Sequence, residues 1–443
     1  MGIGVFIDEH GQTLSEQGRT VLGKDLSQQQ LALRQLLLRA ASVVMAVVVA
    51  GKNLDRVLAQ EAQAGRAAVQ DMAYACLRDY ARLCAVRDTV LDRPVQDDMV
   101  ACLLLVALQQ LAVHGERAYM VVNEATSAAA SLRPWARGLT NAVLRNVLRQ
   151  ALLTRVWQDD EARWNYPQWW IDAVRASYPD DWSLVLTAGN QHPPLTLRVN
   201  LRQTGIAEYL AALDAAGIGA THLGDEAIRL WHPMPVQQLP GFSAGDVSVQ
   251  DAGAQRAAHW LDVRDGQRVL DACCAPGGKT AHVLERADVS MTAVDHDANR
   301  LQRVRDNLTR LHLVAHCVAG DAGQPADWWD GVPYDRILAD VPCSASGVAR
   351  RHPDVKWLRR PSDIAGFARQ QAAILDALWP LLAPGGKLLY VTCSVFPQEN
   401  QQQIDSFLMR LDNAGQQPRV VAEEQLVPCE DYDGFFYALL EKI

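Results

Sequence analysis

Two cysteines are the strongest candidates for chemistry in the sequence, because each directly follows a predicted buried strand. Cys393 comes after the apolar run 388–391, and the pair Phe396-Pro397 then breaks the pattern. Cys343 comes shortly after the run 336–338. Ligands of open α/β sheets bind at the carboxyl ends of the strands. We therefore interpret the chain as an enzyme with both thiols at one sheet edge.

The remaining cysteines have simpler interpretations. A buried cysteine usually serves as a small hydrophobic residue, and we expect this of five: Cys76, Cys84, Cys102, Cys317 and Cys429. Zinc between Cys343 and Cys393 is conceivable, but no histidine or further cysteine has ligand spacing near either one, and no Cys-x-x-Cys pair occurs. We expect no metal. A nucleophile with a helper fits better.

A glycine-containing segment, residues 273–279, joins the first predicted strand of this sheet to its first helix, and we call it the glycine loop. A P-loop needs glycine where Cys273 stands, and no Mg²⁺ partner motif follows, which disfavours a nucleotide hydrolase. Asp295 and Asp321 end the next two predicted strands. A single strand-end aspartate is often a cap or turn residue. Three strand ends at one edge indicate a nucleoside cofactor, and the missing phosphate loops favour S-adenosylmethionine.

Two thiols and a carboxyl group suit methylation at C5 of cytosine. C5 is not nucleophilic until a thiolate adds to C6, and a base must then remove the C5 proton before the thiolate can leave. Protonating or hydrogen-bonding N3 assists the addition. Asp340, three residues before Cys343, is placed for that task.

Two basic segments interrupt a chain whose net charge is −9. In the predicted helix 136–151, arginines recur on one face, opposite Leu139, Val143, Val147 and Leu148. A second cationic run follows Cys343. Either segment can be a solvated surface or an RNA phosphate contact. The candidate RNA-binding residues are Arg137, Arg145, Arg149, Arg350, Arg351 and Lys356.

Hydrophobic periodicity divides the chain of 443 residues into four parts. Residues 1–27 form an extension, and 28–160 are predicted to be all helical. Residues 161–246 form a connector and a small α+β subdomain. Residues 247–443 alternate strands and helices, which predicts an α/β fold with a mostly parallel, doubly wound sheet and a final antiparallel strand. The N-terminus lacks a signal peptide's apolar core, and the apolar run 42–50 is too short for a membrane span. We expect a cytoplasmic protein.

The chain resembles the RNA (cytosine-C5)-methyltransferases, and most closely the RsmB (Sun/Fmu) group. The motifs that carry the resemblance are Asp340-Val341-Pro342-Cys343-Ser344-Ala345-Ser346-Gly347, Arg350-Arg351-His352-Pro353-Asp354, Thr392-Cys393-Ser394-Val395-Phe396-Pro397 with Glu399-Asn400, and Asp433-Gly434-Phe435-Phe436. The helical part is matched mainly by pattern and by the segment 141–145. The departures are Cys274 and Val341, where the group usually has alanine, and His296, where an apolar residue is common.

The resemblance implies a Rossmann-like class I S-adenosylmethionine-dependent methyltransferase fold behind a NusB-like helical domain. It also implies that Cys393 is the nucleophile, that Cys343 assists product release, and that the substrate is 16S rRNA at cytosine 967. The implied cofactor residues are Cys273, Cys274, Ala275, Pro276, Gly277, Gly278, Lys279, Asp295, Asp321 and Asp340. The chain stops after its last predicted strand, which favours RsmB over the related RsmF group. We expect a monomer.

Two rival functions remain at this point. The same chemistry could act on tRNA. A NusB-like RNA- or protein-binding scaffold with an inactive methyltransferase half is the rival from another class. Both cysteines and the whole glycine loop are intact, which argues against the scaffold.

Overall fold

The computed structural model describes residues 32–443. The predicted extension 1–27 and the first residues of the predicted helical domain lie outside the described residues. The chain divides into two compact units, the first ending at Tyr166 and the second running from Pro167 to Ile443. Each unit is described by itself.

The first unit is helical throughout its described part, as predicted. Its helices are α1 (Leu33–Val48), α2 (Leu54–Ala59), α3 (Arg66–Arg78), α4 (Tyr80–Thr89), α5 (Asp98–Val113), α6 (Ala118–Leu132), α7 (Ala136–Arg149) and α8 (Asp160–Trp164). The side chain of Asp97 caps α5 by accepting a hydrogen bond from the backbone of Val100 at 3.1 Å. α5 is buried along most of its length and forms the centre of the unit.

Within residues 32–443 no single helix combines the length and apolar character needed to cross a membrane. One pair of consecutive helices, Asp98–Val113 and Gly115–Leu132, is long and apolar enough only when the two are taken together, and the pair is bent by 112°.

The second unit begins with two helices, α9 (Gln168–Ser177) and α10 (Trp182–Asn190), where the sequence predicted a connector. A small antiparallel sheet follows in the order β2-β3-β1-β4. Its strands are β1 (Thr196–Val199), β2 (Ala220–Gly224), β3 (Ala227–Leu230) and β4 (Val247–Val249), with α11 (Ile206–Ala215) after β1. The sheet extends beyond the predicted boundary at residue 246, because β4 pairs with β1. Three residues are too few to show the alternating pattern of a strand.

The large sheet has seven strands in the order β10-β11-β9-β8-β5-β6-β7. The strands are β5 (Arg268–Ala272), β6 (Ser290–Asp295), β7 (His316–Ala319), β8 (Tyr334–Asp340), β9 (Leu382–Thr392), β10 (Pro418–Leu426) and β11 (Phe435–Lys442). Five of them are parallel, and β11 pairs antiparallel with both β9 and β10. The predicted parallel core and antiparallel last strand are confirmed. β10 was not predicted, because its residues are mostly exposed and show no alternation.

Helices cover both faces of this sheet. They are α12 (Ala252–Trp260), α13 (Gly278–Arg286), α14 (Ala298–Arg310), α15 (Val355–Leu358), α16 (Pro361–Leu378) and α17 (Gln401–Asn413). Two separate apolar clusters lie against the sheet, one containing Val269 and Val304 and the other containing Leu270 and Phe407. Alternate residues of β5 therefore supply opposite faces of the sheet, as the pleat requires.

A buried arginine joins the small sheet to α13. Arg198 in β1 is fully enclosed, and its Nε and Nη2 donate to the carboxylate of Glu285 at 2.8 and 2.6 Å. Its Nη1 donates to the carbonyl of Gly278 at 2.8 Å and to the side chain of Gln250. Since Gly278 is the first residue of α13, this guanidinium fixes the start of the helix that follows the glycine loop.

Replacing Arg198 with methionine should destabilise the protein by about 3–5 kcal/mol, because Glu285 would be left as a buried, unpaired carboxylate. Urea unfolding followed by circular dichroism measures the change. Arg419→Met is the control, since Arg419 pairs with Glu441 at the sheet edge and is 62% exposed. The control should change stability by less than about 1 kcal/mol. Equal losses in both variants would contradict the assigned role of Arg198.

Candidate active site

The carboxyl ends of the parallel strands gather the predicted residues along one edge of the large sheet. The glycine loop follows β5, while Asp295 ends β6 and Asp340 ends β8. Cys393 directly follows β9, and Asp321 lies two residues beyond β7. All five strands run in the same direction, so these side chains share one edge. We call it the carboxyl edge.

The glycine loop has a backbone that ordinary residues rarely adopt. Cys273 has φ of 66°, and Gly277 has φ of 95°. A Cβ atom at Gly277 would lie 3.2 Å from the Cα atom of Val304 in α14. Both the positive φ and this close approach favour glycine at position 277. The turn brings the loop backbone to the N-terminus of α13.

The two acids of the second and third strands have different surroundings. Asp295 has a side chain that is 1% exposed, and its carboxylate accepts hydrogen bonds from the backbone N–H groups of Ala275 at 3.1 Å and Asp297 at 3.0 Å. Asp321 is exposed, and one of its oxygens accepts the N–H of Gly323 at 2.8 Å. Asp295 therefore holds the glycine loop in place, while Asp321 faces solvent.

The thiols of Cys343 and Cys393 meet, with 3.3 Å between their sulfur atoms. Both residues are half-buried. The hydrogen bond with Cys393, together with burial, raises the pKa of the Cys343 thiol well above its usual range. The sequence placed the two cysteines at one edge, and the structure puts them in direct contact.

A buried carboxylate, Glu399, connects the loops that carry the two thiols. Its Oε2 accepts hydrogen bonds from the hydroxyls of Ser344 and Ser394, both at 2.6 Å. Its Oε1 accepts the backbone N–H of Ser344 at 2.8 Å and the side-chain amide of Gln371 at 3.2 Å. Each serine directly follows one of the cysteines. Burial raises the pKa of Glu399, and these hydrogen bonds partly offset that increase.

The loop after Cys343 is also held by main-chain contacts. The N–H of Gly347 donates to the carbonyl of Cys393 at 2.9 Å, and the N–H of Gly434 donates to the carbonyl of Gly347 at 2.9 Å. A Cβ atom at Gly347 would lie 2.3 Å from the carbonyl oxygen of Gly434. This spacing is possible only without a side chain at position 347.

Asp340 is paired with a lysine of the glycine loop. Nζ of Lys279 lies 2.7 Å from Oδ2 of Asp340, and the Lys279 side chain is 13% exposed. Burial by itself would lower the pKa of Lys279, but the Asp340 carboxylate outweighs it and raises that pKa. The negative charge of an ionised Cys393 would also raise the pKa of Lys279. One cation therefore connects the glycine loop with the thiol pair.

The cationic run after Cys343 requires a correction. Arg350 and Lys356 are 1% and 0% exposed, so neither side chain can reach an RNA phosphate. Arg350 donates to Asp433 and to the carbonyl of Cys429, and Lys356 donates to Asn190 at 2.8 Å. Arg351 is 27% exposed and pairs with Asp433 and Asp251. The prediction that Arg350 and Lys356 bind RNA is wrong. Both side chains are buried, and each is held by a residue distant in sequence, Arg350 by an acid and Lys356 by an amide.

The arginines of α7, in contrast, lie on its surface. Arg137, Arg145 and Arg149 are exposed, and Nε of Arg145 donates to Asn141 at 2.9 Å. The predicted polar face is confirmed. The predicted apolar face is shifted, since Leu144 is buried and Leu148 is 38% exposed. Beside this face is a cavity of about 390 Å³, lined by Tyr119, Val122, Asn123, Thr126, Arg137, Gly138, Asn141 and Arg145.

Aromatic residues of the predicted connector pack against the loop after Cys393. The rings of Trp169 and Trp170 lie 5.8 and 5.2 Å from the ring of Phe396. The hydroxyl of Tyr178 donates to the carbonyl of Val395 at 2.8 Å. α9 therefore supports the Cys393 loop, a long-range contact that local sequence patterns do not predict.

The chain matches three family models along its length. Residues 31–149 match the NusB family, 166–237 match a ferredoxin-like domain of RsmF/B-like methyltransferases, and 258–441 match 16S rRNA methyltransferase RsmB/F. Ribosomal RNA small subunit methyltransferase B of Vibrio cholerae is 44% identical over 418 residues, covering 91% of this chain and 96% of that protein. The Pseudomonas syringae protein of the same name is 43% identical over 435 residues, with the same coverage.

Solved structures are similar as well. A methyltransferase homologue from Pyrococcus horikoshii superposes with a TM-score of 0.56 at 25% identity, covering 64% of this chain and 97% of that one. NSun6 from the same organism, solved with SFG, has a TM-score of 0.54 at 18% identity, covering 62% and 98%. The second likeness concerns the fold alone.

Replacing Glu399 with alanine should loosen the thiol pair, because the N–H and hydroxyl of Ser344 and the hydroxyl of Ser394 would lose their shared acceptor. Each buried donor left unsatisfied costs about 1–3 kcal/mol. Iodoacetamide should then alkylate Cys343 and Cys393 faster, which peptide mass spectrometry measures. Gln398→Ala, at the exposed neighbouring position, is the control. Unchanged alkylation rates in Glu399→Ala would show that the carboxylate does not hold the two loops.

Proposed function

The chain belongs to the 16S rRNA methyltransferase RsmB/F family, and we propose that it transfers the methyl group of S-adenosylmethionine to C5 of a cytosine in 16S rRNA. The observation that carries the proposal is the contact of two thiols at the carboxyl edge, 3.3 Å apart. We propose cytosine 967 as the target nucleotide. We further propose that the reaction takes place in the cytoplasm and that the protein acts as a monomer.

The residues present fit a cationic nucleoside cofactor. After burial, the largest causes of the raised pKa of Cys273 are the charges of Asp340, Asp295, Asp271 and Asp321. Burial raises the pKa of Asp271 to about 7, so the carboxylates of Asp295, Asp321 and Asp340 are the ones that direct negative potential at the glycine loop. That potential suits a sulfonium and an amino group. The exposed Asp321 would take a hydroxyl group, and so would Asp295, because each of its oxygens accepts one backbone N–H and keeps a second acceptor site. Residues 273–279 and Asp340 would line the rest of the site. When bound, S-adenosylmethionine supplies the methyl group as an electrophile.

In the proposed mechanism Cys393 is the nucleophile. Its thiolate forms a bond to C6 of cytosine, and the electron pair displaced from the C5–C6 double bond makes C5 nucleophilic. After C5 has gained the methyl group, a base removes the C5 proton, the double bond re-forms and the C6–sulfur bond breaks. Cys343 assists this release. Its raised pKa suits it to this role, because a neutral thiol can donate a proton to the departing thiolate.

N3 of the cytosine needs a hydrogen-bond donor during the addition. We assign this role to the Asp340–Lys279 pair, which lies next to the thiols at the end of β8. Asp340 can donate once it carries a proton, and the Lys279 ammonium that it holds at 2.7 Å is itself a donor. Either group lowers the cost of the negative charge that builds up on the ring.

Removal of the two thiols separately distinguishes their roles. Cys393→Ala should reduce methylation of a 16S rRNA fragment to below about one thousandth of the original rate, while cofactor binding remains. Cys343→Ala should accumulate a protein–RNA adduct, seen as a slow band on a denaturing gel. Cys317→Ala, at a partly buried cysteine outside the pair, is the control.

The adduct should disappear in the Cys343→Ala/Cys393→Ala double variant. If Cys393→Ala retained turnover, the nucleophile assignment would fail. An adduct with tRNA in place of the 16S fragment would change the substrate class. Cofactor binding without any adduct or turnover on either RNA would favour a scaffold.

The exposed face of α7 is the proposed RNA contact of the first unit. Replacing Arg145 and Arg149 with glutamine should weaken binding of the 16S fragment. The slope of log affinity against log salt should flatten by about 0.7–0.9 for each lost phosphate contact. Fluorescence anisotropy over a salt series measures both effects. Arg56→Gln, at an exposed position of α2, is the control, and an unchanged slope in the α7 variant would make that face ordinary solvated surface.

A further inference from the structure

Three side chains of the types that bind metal ions lie close together outside the set of residues at the carboxyl edge. None of the proposed reaction steps uses them. Glu226 directly precedes β3, His259 lies on α12, and His282 lies on α13. Nε2 of His259 is 2.7 Å from Oε2 of Glu226, and Nε2 of His282 is 3.8 Å from the same oxygen. One ligand atom from each residue lies within 4.8 Å of the other two. The three side chains thus surround one point.

His282 is a buried histidine whose ring nitrogens lack hydrogen-bond partners among the described residues. Its side chain is 1% exposed, and within residues 32–443 neither ring nitrogen has a hydrogen-bond partner. A buried polar group without a partner costs free energy. A metal ion bound to Nε2 would give that nitrogen a partner.

The distances fit a transition-metal ion. Zinc bonds of about 2.0–2.1 Å in a tetrahedron place the ligand atoms about 3.3 Å apart. The observed separations of 2.7 and 3.8 Å lie on either side of that value. Two imidazoles and one carboxylate form a ligand set that zinc accepts, with a fourth position for water or another side chain.

The surroundings supply the outer contacts that such sites need. Nη1 of Arg286 donates to Oε1 of Glu226 at 2.8 Å, which leaves Oε2 toward the histidines. The same Nη1 lies 3.4 Å from Nε2 of His259, so that contact must open when the nitrogen binds an ion. The exposed carboxylate of Asp225 lies 3.9 Å from Nε2 of His259 and can become a fourth ligand. A cavity of about 170 Å³, lined in part by Asp225 and His259, provides a route for the ion.

We propose that Glu226, His259 and His282 bind one Zn²⁺ ion. The ion would connect the residue before β3, Glu226, to α12 and α13. The site is separate from methyl transfer, so its success or failure does not depend on the proposed function.

The test uses the full, tag-free chain with its metals removed by chelation and dialysis. Zinc binding is measured by competition with a chromophoric chelator and by metal analysis after gel filtration. We expect one equivalent to bind, and His259→Ala and Glu226→Gln to weaken binding by at least about 10–100-fold, the loss caused by changing even an outer partner of a metal site. His316→Ala, at an exposed histidine of β7, is the control and should bind as the original chain does.

Cobalt provides the second readout, because the chain has nine cysteines that could bind metal instead. Co²⁺ should give the visible bands of a nitrogen and oxygen site, without the intense ultraviolet band of thiolate ligands, and His259→Ala should abolish those bands. Zinc should also raise the melting temperature of the original chain and of His316→Ala, but not of His259→Ala. Equal zinc affinity in all variants, a thiolate band, or no binding at micromolar zinc would overturn the proposal.

Discussion

One buried carboxylate joins the two loops that carry the thiols. Glu399 accepts hydrogen bonds from Ser344 and Ser394, and each of these serines is the neighbour of a cysteine. The N–H of Gly347, which donates to the carbonyl of Cys393, is a second link between the same two loops. Burying a carboxylate is costly, and here four donors compensate it. The contact of 3.3 Å between the sulfur atoms depends on this arrangement.

The rest of the second unit can be understood as support for that edge. Parallel strands bring the acids and thiols together, and the buried ion pair of Arg198 with Glu285 holds the start of α13. The aromatic contacts of α9 support the loop that follows Cys393. Negative charge collects at the glycine loop, while a single lysine connects that loop to the thiols. Positioning and electrostatics thus come from different elements that meet at one edge.

The sequence predicted what depends on local periodicity. The five parallel strands, the last antiparallel strand and the exposed arginines of α7 all follow from patterns of two or about 3.6 residues. The positions of both cysteines at strand ends followed from the same reasoning. β10 was missed because an exposed edge strand has no apolar alternation.

Long-range pairing could not be predicted. Arg350 looked like part of a basic surface, because its partner Asp433 is 83 residues away in the chain. Glu399 stood in a recognised motif, but nothing in its neighbours indicated that its carboxylate would reach Ser344, 55 residues earlier. The cluster of Glu226, His259 and His282 likewise combines three elements and has no local signature. Such contacts exist only after the elements have packed.

The approach of Gly347 to Gly434 has a consequence for how this sequence can vary. A Cβ atom at Gly347 meets the carbonyl of Gly434, and a Cβ atom at Gly434 lies 2.9 Å from the Cα atom of Gly347. In both cases the obstacle is main chain, so no change of a neighbouring side chain can compensate for a substitution. A substitution at either glycine would therefore require the backbone of the Cys343 loop to move, and the thiol would move with it.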